Sequence, residues 1–213
     1  MRDVSDPNAR YAPASAAEVL RLVREHPLAW VVSAGAAPRA SLLPFRPEQV
    51  ASDGRIRSFL GHLARRNPHA TLVAPGASAL LLFLGPQGYV SPSWFRDRSQ
   101  APTWNYASVQ YLVTLEPLED GAARDAVLAD LVGAVEAGRP DAWSAAEMGP
   151  RYAALATRIL AFRAVVAEER ARFKLGQDER DDVYADITAG LARAGDRALL
   201  DWMARANPAR PRR

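Results

Sequence analysis

Ala77–Phe95 reads ASALLLFLGPQGYVSPSWF, an apolar run that stops at Gly85 and gives way to a segment dense in Pro, Ser and aromatic residues. The run from Ala77 to Leu84, held between Gly76 and Gly85 and uninterrupted by charge, suits a strand buried on both faces. The residues after it, from Gly85 to Tyr106, have neither helical nor strand period and read as a long aromatic loop.

Working outward from that strand, the chain alternates short extended segments with helical ones. Upstream, Leu28–Ala34 (LAWVVSA) and Arg39–Phe45 (RASLLPF) flank a turn at Gly35–Pro38 and predict a hairpin. In Arg55–Gly61 (RIRSFLG), Ile56, Ser58 and Leu60 alternate with Arg55, Arg57 and Phe59, the period of a strand. His62–Pro68 (HLARRNP) then opens a short helix ending near Pro75-Gly76. Downstream, Val109–Leu115 (VQYLVTL) and Ile159–Ala167 (ILAFRAVVA) read as strands. Helices are expected after the capping box Ser15–Glu18, over Arg124–Glu136 and Tyr152–Leu160, and as a pair within Asp181–Ala206. Irregularly spaced strands, mostly joined as hairpins, with helices at the periphery, favour an α+β, mainly β, fold built on a small barrel. A single domain over residues 1–206, followed by a basic, disordered tail over 207–213, is the expected organisation.

Composition removes several chemistries. With no Cys among the 213 residues, disulfides, thiolate metal sites and thiol nucleophiles are absent. His26, His62 and His69 have no paired-ligand spacing, so no metal is expected. Neither a phosphate-cradling Gly-rich motif nor a G-x-S-x-G elbow occurs, and Glu116, Glu119 and Asp120 read as a polar turn. If the chain is an enzyme, the reactive atom belongs to a cofactor. The first residues lack a signal-peptide pattern and no apolar run spans a membrane, so a cytoplasmic location is expected. Lys and Arg total 27, of which only Lys174 is lysine, and the net charge is +3. The arginines are scattered rather than arranged on a recognition helix, which argues against direct nucleic-acid binding.

Three segments have the chemistry to hold a ligand. Gly85–Phe95 with Pro102–Tyr106 (PTWNY) combines flat rings for stacking with hydroxyl and amide groups for a polar edge; the same aromatics would also serve to cap one end of a barrel. Gly61–Pro68 places Arg65 and Arg66 at a strand-to-helix junction, where guanidiniums and backbone N–H groups suit a phosphate, although paired surface arginines are commonly just solvated. Arg172–Asp178 (RFKLGQD) carries the one lysine, on what would otherwise be an exposed strand end.

Taken in order, Tyr11-Ala-Pro13, Gly61–Pro68, Gly85-Pro through Tyr89-Val-Ser-Pro-Ser-Trp94, Pro102–Tyr106 and Phe173–Gln177 resemble the PaiB-like FMN-binding negative transcriptional regulators, from about Tyr11 to Met203. The resemblance implies an FMN-binding split β-barrel of about six antiparallel strands, related to pyridoxamine-phosphate oxidases and flavin reductases. Two barrels would pair as a homodimer with FMN in the groove between them. His62, Arg65, Arg66 and Asn67 would meet the phosphate. Ser91, Ser93, Trp94, Thr103, Trp104, Asn105 and Tyr106 would line the ring or substrate side, with Lys174 and Gln177 reaching in. The implied function is an FMN-binding regulator. The alternatives are a flavin-dependent oxidoreductase and a haem-binding split barrel with His62 or His69 as axial ligand.

Overall fold

The computed structural model describes residues 9–35 and 37–210, so residue 36 of the expected hairpin turn and residues 211–213 of the expected tail lie outside the described residues. Six strands, β1 (Leu28–Ser33), β2 (Arg39–Val50), β3 (Ile56–Ala64), β4 (Ala77–Val90), β5 (Thr103–Leu118) and β6 (Ile159–Lys174), close a barrel in the order β1-β2-β3-β6-β5-β4. The registers are antiparallel for β1 with β2, β1 with β4, β2 with β3, and β3 with β6. Five helices accompany them: α1 (Ala16–Glu25), α2 (Gly121–Glu136), α3 (Arg151–Ala156), α4 (Asp181–Ala194) and α5 (Arg197–Ala206). The expected mainly β barrel with peripheral helices is therefore the observed fold.

Two compact units divide the chain. Among the described residues, one contains those within Val23–Phe83 and Gln110–Glu169; the other contains residues 9–22, Leu84–Val109 and residues 170–210.

The first unit has an aromatic core. Phe45, Phe59, Phe83, Tyr111 and Phe162 are fully buried and contact one another with ring centroids between 4.9 and 6.3 Å apart, mostly edge to face as aromatic quadrupoles prefer. Gly61 of β3 makes room for it: a Cβ at that position would stand 2.5 Å from Cε1 of Phe45. On the outer surface, Arg163 of β6 donates to both carboxylate oxygens of Glu48 (2.5 and 2.6 Å), and Ser58 donates to the same carboxylate at 2.7 Å.

The second unit is organised by α4 and α5. Ile187, Leu191, Leu199, Trp202 and Met203 are buried, and Trp202 meets Phe173 edge to face at 5.5 Å. Asp196 caps α5 by accepting from the Leu199 N–H at 3.0 Å, satisfying an amide the helix cannot. Of the expected tail, Arg210 is described: it donates to the carbonyls of Gly176 (3.2 Å) and Glu179 (2.6 Å) and lies 4.5 Å above the Tyr184 ring.

Four expectations are corrected. The run at Ala77 is not buried on both faces: Ala79, Leu81 and Phe83 are buried while Leu80 and Leu82 are half-buried and Leu84 is exposed, the alternation of an antiparallel sheet with one face in the core. Gly85–Tyr106 is not one aperiodic loop, because β4 runs on to Val90 and β5 begins at Thr103; glycine and proline punctuate the strand without ending it. The segment opening at His62 is not helical: β3 continues through His62 to Ala64, and the only helical element after it is a five-residue 3-10 turn, Pro68–Leu72, before β4 begins. The helix expected to reach Leu160 stops at Ala156, where β6 claims Ile159.

Candidate functional site

The nominated residues divide between the two units. In the barrel unit, His62 faces outward from β3, in register with Ala161 of β6. Its Nδ1 is buried and has no hydrogen-bond partner, and burial pushes the imidazole below its ordinary pKa. Just beyond it, Arg65 and Arg66 occupy the turn that ends β3, both exposed. The Arg65 N–H donates to the Arg158 carbonyl at 2.8 Å, which holds the segment before β6 beside this turn. Arg65 has one loose ion pair, 3.5 Å from the exposed Glu119; Arg66 and Arg158 have none among the described residues.

The helix N-terminus expected here as an anion seat is already filled. Asn67 caps the Pro68–Leu72 turn, its Oδ1 accepting from the His69 N–H at 2.9 Å and its Nδ2 donating to Ser41 at 3.3 Å. His69 is buried, with Nδ1 3.1 Å from the Ser41 hydroxyl and Nε2 3.0 Å from that of Ser33. Burial, and then the Arg39 charge, lower its pKa. Both of its ring nitrogens are engaged, so of these two imidazoles His62 is the one with an unpaired ring nitrogen, which is buried.

Arg65, Arg66 and Arg158 stand on a cavity of about 690 Å³ that continues between α2, α3 and the short turn Ala145–Met148. Nothing in the spacing of the 26 arginines marks Arg158. Only its place at the start of the last strand singles it out.

In the other unit, Trp104 is exposed (53%) and its ring lies beside that of Tyr89, centroids 5.9 Å apart and tilted by 57°. The Lys174 ammonium donates to Thr103 Oγ1 at 2.5 Å and to the Trp104 carbonyl at 3.2 Å. Tyr106 accepts from Arg172 Nε at 3.1 Å, a partner the sequence did not nominate. Ser91 and Ser93 bond each other at 2.7 Å inside their own turn. Trp94 fits against Gly190 of α4, where a side-chain carbon would overlap its ring.

Two nominated amides make contacts within their own unit. Asn105 is fully buried on β5, its Nδ2 3.5 Å from Met203 Sδ and its Oδ1 without a partner. Gln177 accepts from the Leu175 N–H at 2.7 Å and donates to the Phe173 carbonyl at 2.6 Å, closing the turn that Gly176 makes at φ +81°. Strand alternation sends Asn105 inward and Trp104 outward, a distinction composition alone does not carry.

Residues 7–168 match the family described as "Putative FMN-binding domain". The chain is 27% identical over 137 residues to the Bacillus subtilis Protease synthase and sporulation protein PAI 2, a match covering 62% of this chain and 63% of that protein; the chain thus spans about three-fifths of that curated relative. Among solved structures, the FAD and Heme binding protein from Mycobacterium smegmatis superposes with a TM-score of 0.56 at 21% identity, over 81% of this chain and 77% of that one. The flavocytochrome Anf3 from Azotobacter vinelandii gives 0.55 at 17% identity, over 79% and 72%. At these identities the likeness is one of fold. The family match runs from before α1 into β6 and takes in the arginine turn and the aromatic segments, so the chain belongs to this FMN-binding-domain family, as its motifs led one to expect.

Proposed function

We propose that the protein binds FMN, with the flavin phosphate on Arg65 and Arg66, and that it works as a homodimer. The observation that carries this is the exposed guanidinium pair in the turn after β3, within the segment matched by the FMN-binding family. Paired forks suit a terminal phosphate. FMN, when bound, supplies hydride and electron transfer; the chain's own residues supply charge and stacking surface. Trp104 with Tyr89, and Lys174, are the ring-side groups, contributed by a second copy.

The dimer is supported by an apolar outer face on β1 and β2. Leu28, Trp30 and Leu42 are exposed there at 52%, 50% and 48%, and Trp30 stands in register with Leu42 and with Leu82 of β4. A patch of this kind is normally covered by a partner.

Repression of gene expression is the proposed output, exerted through a small molecule rather than by reading a DNA groove. Several arginines are paired with carboxylates, as in Arg46–Asp130, Arg96–Asp186, Arg163–Glu48 and Arg205–Glu18, and the arginines are scattered along the chain, which supports that reading. A second reading, haem binding, is supported by the fold shared with the FAD and Heme binding protein from Mycobacterium smegmatis and would give a Soret band on titration with haemin. The deciding experiment is a fluorescence titration of flavin-stripped protein with FMN and with riboflavin. Saturable FMN quenching at a stoichiometry of one per chain is expected; its absence sinks the proposal.

A further inference from the structure

The cavity of about 690 Å³ beside Arg158 has a chemistry unlike that of a flavin pocket. Leu128 and Val132 of α2, Met148, Leu155 of α3 and Ile159 of β6 form its apolar wall, all half-buried. Trp143, 40% exposed, joins them. Helix α2 buries only Val127 and presents Leu128 and Val132 to the cavity. A surface helix whose stripe is satisfied by the core does not leave such residues half-open.

Against this wall stand three guanidiniums, Arg65, Arg66 and Arg158, and no carboxylate lines the cavity. Neither Arg66 nor Arg158 has an ion-pair partner among the described residues. An isoalloxazine would be poorly served here. Its edge of carbonyls and ring nitrogens needs several donors, and apart from the arginines only Thr157, Tyr152 and the Trp143 indole offer polar side-chain atoms, Tyr152 being already bonded to Asp125. Leaving a polar edge unpaired against aliphatic carbon is costly. An apolar body with a single anionic head meets both features, and the volume falls within the usual range for a small-molecule site, roughly 300–1,000 Å³.

We propose that this cavity binds an organic carboxylate with an aliphatic or aromatic body, anchored by Arg158 and assisted by Arg66. The backbone bond from Arg65 to Arg158 fixes the anchoring residue beside the arginine turn. The site goes beyond the flavin reading and does not depend on it, although the two share the arginine wall.

The test is isothermal titration of the full chain, with and without saturating FMN, using octanoate and its uncharged counterpart 1-octanol. Octanoate is expected to bind once per chain and at least tenfold more tightly than octanol. Arg158→Ala should remove that preference by weakening octanoate about tenfold while leaving octanol and FMN unchanged. Val132→Trp, which fills the cavity, should abolish octanoate binding; Leu128→Trp does the same job if the first variant does not fold, as judged by circular dichroism. Absence of octanoate binding, or indifference to both filling variants, would overturn the proposal. Loss of FMN binding alone, with octanoate retained, would defeat the flavin reading and leave this one standing.

Discussion

The backbone N–H of Arg65 donates to the carbonyl of Arg158 at 2.8 Å, and this one bond brings together two arginines that stand 93 positions apart in the chain. It ties the turn after β3 to the entry of β6, so the cationic wall is set by strand pairing rather than by side-chain contacts. Replacing either side chain should therefore leave the geometry of the turn intact.

Because the turn survives, Arg65→Ala combined with Arg66→Ala should weaken FMN by at least tenfold while changing riboflavin, which lacks the phosphate, by less than about threefold. A tenfold change is about 1.4 kcal/mol, within the range of a charge-assisted hydrogen bond. Equal losses for both flavins would assign the arginines to something other than the phosphate.

Gly61→Ala should destabilise the barrel by about 1–3 kcal/mol, since the added carbon meets Phe45 and stands 3.1 Å from Phe162 in a core without slack. Gly133→Ala is the opposite case. It lies inside α2 with nothing within 4 Å of the new carbon, and a stabilisation of about 0.5–1 kcal/mol is expected. Urea denaturation of both variants reads the two signs directly.

Glu48 accepts from Arg163 and Ser58, and the Arg163 hydrogen bond is the main reason its carboxyl is held below the ordinary pKa. A carboxyl lowered on folding contributes stability that is present above its unfolded pKa and is lost as pH falls through the folded value. Glu48→Gln should cost about 1–2 kcal/mol at pH 7, and the gap to the unaltered protein should close as the solution is acidified through the carboxylate range.

Burial lowers the pKa of both His62 and His69, so at mildly acidic pH the unfolded chain binds more protons than the folded one. Stability is fully present above the unfolded imidazole pKa of about 6.5 and declines as pH falls from there through the folded values. Thermal melts across this window should show a shallower decline in His62→Gln than in the unaltered protein. An unchanged slope would mean that folding does not lower the pKa of His62.

The first hairpin was legible because the turn at Gly35–Pro38 is written in local chemistry, and β3 because Ile56, Ser58 and Leu60 alternate with Arg55, Arg57 and Phe59. The extent of β4 was not, since Gly85, Pro86 and Gly88 look like a strand terminator when read locally, yet all three lie within the strand. At the candidate site, side-chain type nominated Arg65, Arg66, Trp104 and Lys174 alongside Asn67, Asn105 and Gln177, and only the fold shows that the last three amides make a cap, a buried contact and a turn while the two arginines and Trp104 are exposed. Arg158 was invisible for the converse reason: its neighbours in space are distant in sequence, and one arginine among 26 carries no mark.

Lys174 is the only lysine and the chain has no cysteine, which makes its ε-amine a singular chemical handle. An amine-directed acylating reagent has one side chain to modify, and the Thr103 hydroxyl and Trp104 carbonyl that hold the ammonium set how readily it reacts. The modification rate at that one position is thus a site-specific clock for how often the start of β5 lets go of the end of β6.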